Sequence, residues 1–176
     1  MRIISGKFGG QTIKPPKGHK THPMNEKGRG ALFNALGDIE GLTVLDAFAG
    51  SGAIGIEAIS RGAKFALMID ESKQAQLAIA DNIKATQVTK QTKLVKASAN
   101  AWLSTTNDQF DLVVLDPPFE KLQKPLLKQL SERTKPGGLA IFSLPPNEFV
   151  DLDECFENLQ TKKYGDNQLV FYRRIK

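Results

Sequence analysis

At 176 residues with 40% hydrophobic content, the chain can bury one domain-sized core, and it has no apolar run near the roughly 18 residues that a membrane span needs. The single Cys155 cannot form an internal disulfide, and Met1 to Lys7 lacks the continuous apolar core of a signal peptide, so a reducing cytoplasm is the expected compartment. The formal charge of +5 is uneven: residues 1–30 hold seven Lys/Arg (Arg2, Lys7, Lys14, Lys17, Lys20, Lys27, Arg29) against the single acid Glu26, the footprint of a nucleic-acid-binding arm or of a solvated tail.

Arg2–Ser5 and Gln11–Lys14 are β-prone runs separated by Gly6-Lys7-Phe8-Gly9-Gly10, which predicts an N-terminal hairpin ended by Pro15-Pro16. His19 and His22 have no Cys partner and only Glu26 nearby, so they read as loop residues and not as metal ligands. Ala31, Leu32, Ala35 and Leu36 predict a helix from Asn25 to Leu36 with Asn25 as N-cap, although Gly28 and Gly30 weaken it by about 1 kcal/mol each.

Thr43 to Gly55, T-V-L-D-A-F-A-G-S-G-A-I-G, is the organising stretch: a strand, a glycine loop and a helix running from Ala53 to Ile59. Gly50, Gly52 and Gly55 allow a tight turn and close approach of a ligand and of the helix to the strand. Taken alone the spacing fits a dinucleotide crevice, an adenosine-type methyl donor or a structural turn. Phe65–Asp70 follows as a buried strand, then a helix over Ser72–Thr86, a strand at Lys93–Ala97, a short helix at Ala99–Leu103 and a strand at Phe110–Asp116. Beyond Pro117-Pro118 the pattern predicts a helix over Gln123–Arg133, a turn at Pro136-Gly137-Gly138, a strand at Leu139–Leu144 and a helix around Asp151–Gln160. Two β-runs, near Tyr164 and at Leu169–Arg174, close the chain. The alternation predicts a parallel sheet covered on both faces, with the last two strands as an antiparallel hairpin and one antiparallel strand at the edge.

Asp46, Asp70 and Asp116 all end predicted strands, and in an open parallel sheet such residues converge on one crevice. Asp70 follows the glycine loop by about twenty residues, where a carboxylate accepts ribose hydroxyls or, more simply, caps the next helix. Asp46 is placed to orient the loop or meet a ligand ammonium. In Asp116-Pro117-Pro118-Phe119 a carboxylate and a proline-fixed carbonyl can both accept from one exocyclic amine, while Phe119 offers a face to a planar base. The alternative is a Pro-Pro loop whose Phe is merely packed.

D-A-F-A-G-S-G-A-I-G-I-E-A, Asp70 and D-P-P-F together resemble the class I methyltransferases that use S-adenosylmethionine, and D-P-P-F is similar to the D/N/S-P-P-Y/F/W motif of amino-group methylases. With the opening R-I-I-S-G-K-F-G-G, the helix ending A-L-F-N-A-L and the run E-A-I-S-R-G-A, nearly the whole chain resembles the RsmD family, which methylates the 2-amino group of a guanine in 16S ribosomal RNA. The resemblance implies a Rossmann-like α/β fold with a mostly parallel seven-stranded sheet and an antiparallel last strand. It divides the chain into a basic β-hairpin extension at 1–24 and a methyltransferase domain at 25–176. It implies Asp46, Phe48, Gly50, Ser51, Gly52, Asp70, Glu71, Ser98 and Ala99 at the cofactor, and Asp116, Pro117, Pro118 and Phe119 at the acceptor base. The implied partner is small-subunit ribosomal RNA or the assembling small subunit, with no metal and no membrane. Three departures stand out: His22-Pro23-Met24 where the family has R-P-T, Gly28 and Gly30 where it has bulkier helix formers, and Ser98 where it commonly has an acid. Two rival readings are an NAD oxidoreductase and an RNA-binding assembly factor without catalysis.

Overall fold

The computed structural model describes residues 1–18 and 24–176; the readings made for His19, Lys20 and His22-Pro23 lie outside the described residues. In chain order the elements are α1 (Glu26–Leu36), β1 (Thr43–Asp46), α2 (Ala53–Ser60), β2 (Phe65–Ile69), α3 (Lys73–Ala85), β3 (Thr92–Val95), α4 (Ala99–Leu103), β4 (Phe110–Leu115), α5 (Lys124–Ser131), β5 (Thr134–Leu144), β6 (Phe156–Tyr164) and β7 (Asn167–Arg174). The strands form one seven-stranded sheet in the order β3-β2-β1-β4-β5-β7-β6. β1 to β5 run parallel, and β7 is antiparallel to both of its neighbours. Among the described residues no helix is long and apolar enough to cross a membrane.

The central strands are short apolar runs buried on both faces, as a sheet covered by helices requires. One core cluster joins Leu32 and Phe33 of α1, Ile56 and Ile59 of α2 and Ile79 and Ile83 of α3 to one face. The other joins Trp102 of α4 and Leu127 and Leu130 of α5 to the opposite face. On α3 the buried positions Ala75, Ala78, Ile79, Asn82 and Ile83 follow the spacing of a one-sided helix, with Ser72 capping its first turn. At Gly55 an added Cβ would come within 2.7 Å of the Met68 side chain, so glycine is what lets α2 lie against β2.

Four sequence expectations are corrected. The helix around Asp151–Gln160 is absent: the chain makes one turn, with Phe156 N donating to Asp153 O at 3.1 Å, and enters β6, which pairs with β7 from Phe156↔Arg174 to Tyr164↔Asn167 with a register shift between Asn158 and Gln160. The acids of Asp151-Leu152-Asp153-Glu154 read locally as a helix start, but the unpaired edge of β7 offers a ladder, and tertiary pairing overrides local preference. The antiparallel strand is not the edge: β7 lies between β5 and β6. Pro136-Gly137-Gly138 is no turn before a strand but part of β5, which starts at Thr134, and the β4–β5 register shifts between Phe110 and Leu112. Arg29, counted with the basic arm, is fully buried.

The N-terminal hairpin forms around one bridge, Arg2↔Thr12, with Ile3 N donating to Gln11 O (2.9 Å) and Ile13 N to Met1 O (2.9 Å). Ile3 and Ile13 are buried in the first core cluster. Glu57 of α2 fastens this segment: its oxygens accept from Ile4 N (2.7 Å) and Ser5 N (3.0 Å), and they pair with Arg61 Nε (2.8 Å) and with the buried Arg29 Nε (3.5 Å). Arg29 also donates to the carbonyl of Arg2. Burial pushes the Arg29 guanidinium below its ordinary range, and Glu57 opposes that push.

Candidate active site

The order β3-β2-β1-β4 puts the carboxyl ends of four strands side by side, with the winding direction reversing at β1. Asp46 ends β1, Asp70 follows β2, Ser98 lies just beyond β3 and Asp116 follows β4. Asp46 pairs in register with Met68 and Val114, and Asp70 and Asp116 lie two residues further along their strands. Side chains alternate along a strand, so all three carboxylates point to the face that carries α1, α2 and α3.

Asp46 is fully buried; its Oδ2 accepts from Gly55 N at 3.2 Å, while Oδ1 has no partner. Burial pushes its carboxyl up to about 8, aided by the charges of Asp116 and Asp70 and opposed by the amides of Gly55 and Phe48. Asp116 is half-buried as a residue, but burial of its carboxyl group raises it to about 6, against the Ser143 hydroxyl and the Met24 amide, which donates to Oδ2 at 3.3 Å. Two acids held close in a dry site are the kind of pair that perturbs its own titration.

Asp70 closes the glycine loop: Oδ2 accepts from Gly50 N (2.8 Å) and Oδ1 from Ser72 N (2.8 Å), so one side chain ties the loop to the start of α3. Gly52 adopts φ +77°, a left-handed turn that glycine enters without strain, and an added Cβ at Gly50 would meet nothing within 4 Å. Among the described residues, no atom stands within 4 Å on that side of the loop. Ser51 is buried, with its carbonyl held by Asn82 Nδ2 at 2.9 Å, and Phe48 is half-buried. Glu71 is exposed; Ser98 caps α4 by accepting from Ala101 N at 3.2 Å, and Ala99 beneath it is buried. Pro117 is buried, Pro118 half-buried, and Phe119 starts a single 3-10 turn with 37% of its surface exposed. Beside it opens a cleft of about 630 Å³ lined by Phe119, Leu122, Pro125, Leu126 and Pro145, with Lys124 and Glu148 paired at 2.6 Å on its wall.

The structure thus gathers Asp46, Phe48, the glycines, Asp70, Ser98 and Asp116 along one edge, and it adds residues that the sequence reading missed. Met24, Ser143 and Tyr164 reach Asp116 from the start of α1, from β5 and from β6. A hydroxyl inside the apolar run Leu139–Leu144 was the available signal for Ser143. Tyr164 had none, because its partner Gly28 is far away in sequence.

A doubly covered sheet that reverses at β1, a glycine loop opening α2 and carboxylates on adjoining strand ends define a class I methyltransferase fold. The solved structure of the Escherichia coli protein yhhF is similar at a TM-score of 0.87 and 26% identity, covering 99% of this chain and 97% of that one. YlbH of Bacillus subtilis is 34% identical over 182 residues, 99% of each chain. The ribosomal RNA small subunit methyltransferase D of Escherichia coli is 33% identical over 122 residues, 69% of this chain and 61% of that protein. Residues 1–173 match the family described as Conserved hypothetical protein 95, and the chain belongs to that family, the RsmD-type methyltransferases. This membership decides against the oxidoreductase reading.

Proposed function

We propose that the protein transfers a methyl group from S-adenosylmethionine to the exocyclic 2-amino group of a guanine in small-subunit (16S) ribosomal RNA, free or in the assembling subunit. The observation that carries this reading is the single row of Asp46, Asp70 and Asp116 on adjoining strand ends, with D-P-P-F at its far end. The relatives named above, one of them a ribosomal RNA methyltransferase, support the substrate class.

The residues present fit the cofactor: Asp46 Oδ1 is a buried acceptor lacking a partner, and the loop at Gly50 is open where a side chain would stand. When bound, the cofactor supplies a methyl group made electrophilic by its sulfonium. Asp46 and the loop Phe48–Gly52 would hold its methionine part, Asp70 with Glu71 its ribose, and Ser98 and Ala99 its adenine edge. Asp116 Oδ and the Pro117 carbonyl would accept the two hydrogens of the guanine amine, freeing the nitrogen lone pair for in-line attack. As the nitrogen takes up the methyl group that the sulfonium would release, the amine proton would pass to Asp116 or to water. Phe119 would stack on the base, which must be unpaired or flipped to expose its amine. Most of the acceleration then comes from positioning and desolvation. Residues 1–24 form the RNA-binding extension of the domain 25–176, with Lys7, Lys14 and Lys17 among its exposed cations.

The test is labelled-methyl transfer onto 16S RNA and onto partly assembled small subunits lacking the modification, followed by nucleoside analysis. Product at guanine N2 is expected. Methylated adenine, a methylated ring carbon, or cofactor binding with no transfer would overturn the assignment, the last in favour of an assembly factor.

A further inference from the structure

Beyond the cofactor row, a second set of polar groups faces Asp116. Leu115 pairs with Phe142, so the next position along brings Asp116 beside Ser143. Ser143 in turn pairs with Leu169, and Leu169 with Lys162; Tyr164 lies two residues beyond Lys162 and therefore on the same face. Ser143 Oγ and Tyr164 Oη are both buried, and neither has a hydrogen-bond partner of good geometry. Buried hydroxyls are nearly always paired, so two left open beside a carboxylate call for an explanation. Space for the tyrosine is made by Gly28: a Cβ there would stand 2.4 Å from Tyr164 Cε2 and 2.9 Å from its oxygen. A helix-weakening glycine in α1 is thus matched to a ring that leans over the site.

We propose that Ser143 and Tyr164 are positioning residues for Asp116, a relay in which the Tyr164 hydroxyl donates to Ser143 and the Ser143 hydroxyl donates to the carboxylate. The relay orients Asp116 against the acceptor amine, and in that respect it rests on the function proposed above. Among the described residues, the groups around Asp116 are few: Asp46 from β1, whose carboxyl is pushed up in part by the charge of Asp116, and the Met24 amide ahead of α1, which donates to it, and no cation pairs with it. Ser143 is the hydroxyl that opposes the upward push on both Asp116 and Tyr164. Burial holds Tyr164 up at about 12, so it stays a donor at every working pH. With Asp116 near 6, loss of a donor moves its ionisation toward neutrality, where the carboxylate is needed.

Two measurements test the relay. The first follows the Asp116 carboxyl by carbon NMR across pH, without RNA, in wild type, Ser143→Ala, Ser143→Thr and Tyr164→Phe, with Asp116→Asn assigning the signal. The midpoint should rise by about one pH unit in Ser143→Ala and about half a unit in Tyr164→Phe, and Ser143→Thr should restore it. The second measures methyl transfer: kcat should fall roughly fivefold at pH 6 in Ser143→Ala and roughly twofold in Tyr164→Phe, approach wild type at pH 8, and leave the cofactor KM unchanged. Gly28→Ala, which displaces the ring, should behave like Tyr164→Phe. Midpoints that stay at the wild-type value in both Ser143→Ala and Tyr164→Phe would overturn the relay, whatever the activity. Shifted midpoints in an enzyme that does not methylate guanine would uphold the relay and overturn the guanine assignment.

Discussion

Two buried charged clusters lie on the same face of one sheet, and they are built in opposite ways. Around Glu57 the neighbours are of opposite charge or are donors: Arg29, Arg61 and two backbone amides converge on one carboxylate. Around Asp46 the neighbours are like charges, one oxygen has no partner, and the carboxyl is pushed up to about 8. The first arrangement fastens the N-terminal segment and α1 to α2. The second is unfavourable until something arrives to complete it, which is how a binding site differs from a structural clamp although both are built from buried acids.

Breaking the clamp should give the largest effect. Glu57→Ala leaves Arg29 buried without its counter-ion, and unfolding by denaturant should report a loss of about 3–5 kcal/mol. Removing the acceptor acid should leave the fold intact and strike the chemistry. Asp116→Ala is expected to lower kcat roughly a hundredfold or more, about 2.7 kcal/mol, with cofactor affinity by calorimetry near wild type. Asp116→Asn should be milder, since its amide oxygen still accepts but lacks the charge that offsets the positive nitrogen.

The comparison sharpens at Asp46, where the effect should have the opposite sign. Its folded carboxyl keeps a proton to about pH 8 whereas the unfolded one releases it near 3.8, so between those values the folded state binds more protons and stability declines as pH rises. Asp46→Asn removes that penalty. Its melting temperature should exceed wild type at pH 8, and the gain should vanish below pH 4. A gain independent of pH would show that Asp46 is not held in its neutral form. The smallest effect concerns the arm: substituting Lys7, Lys14 and Lys17 by glutamine should flatten the slope of log affinity for RNA against log salt by about 2–3, leaving cofactor binding unchanged. An unchanged slope would return those lysines to solvated surface.

Much of this was legible locally. The strand–loop–helix at Thr43–Gly55 folds as read, Asn25 caps the helix it precedes, and Asp46, Asp70 and Asp116 stand at strand ends, because each signal rests on residues within one or two turns of one another. β6 was misread for the complementary reason. Asp151–Gln160 has an acid-rich start that favours a helix in isolation, and only the free edge of β7 makes a strand of it from Phe156 onward. The same holds for charge. Nothing in Met24-Asn25-Glu26-Lys27-Gly28-Arg29 distinguishes the exposed Lys27 from the fully buried Arg29; Glu57, twenty-eight residues on, makes the difference. Gly28 reads as a flaw in a helix until Tyr164 is seen to occupy the space it leaves. Periodicity, caps and turns are short-range properties and the chain by itself determined them. Which acid is neutralised, which is left charged and which hydroxyls stand behind it depend on contacts between residues far apart in sequence, and those the packed sheet alone decided.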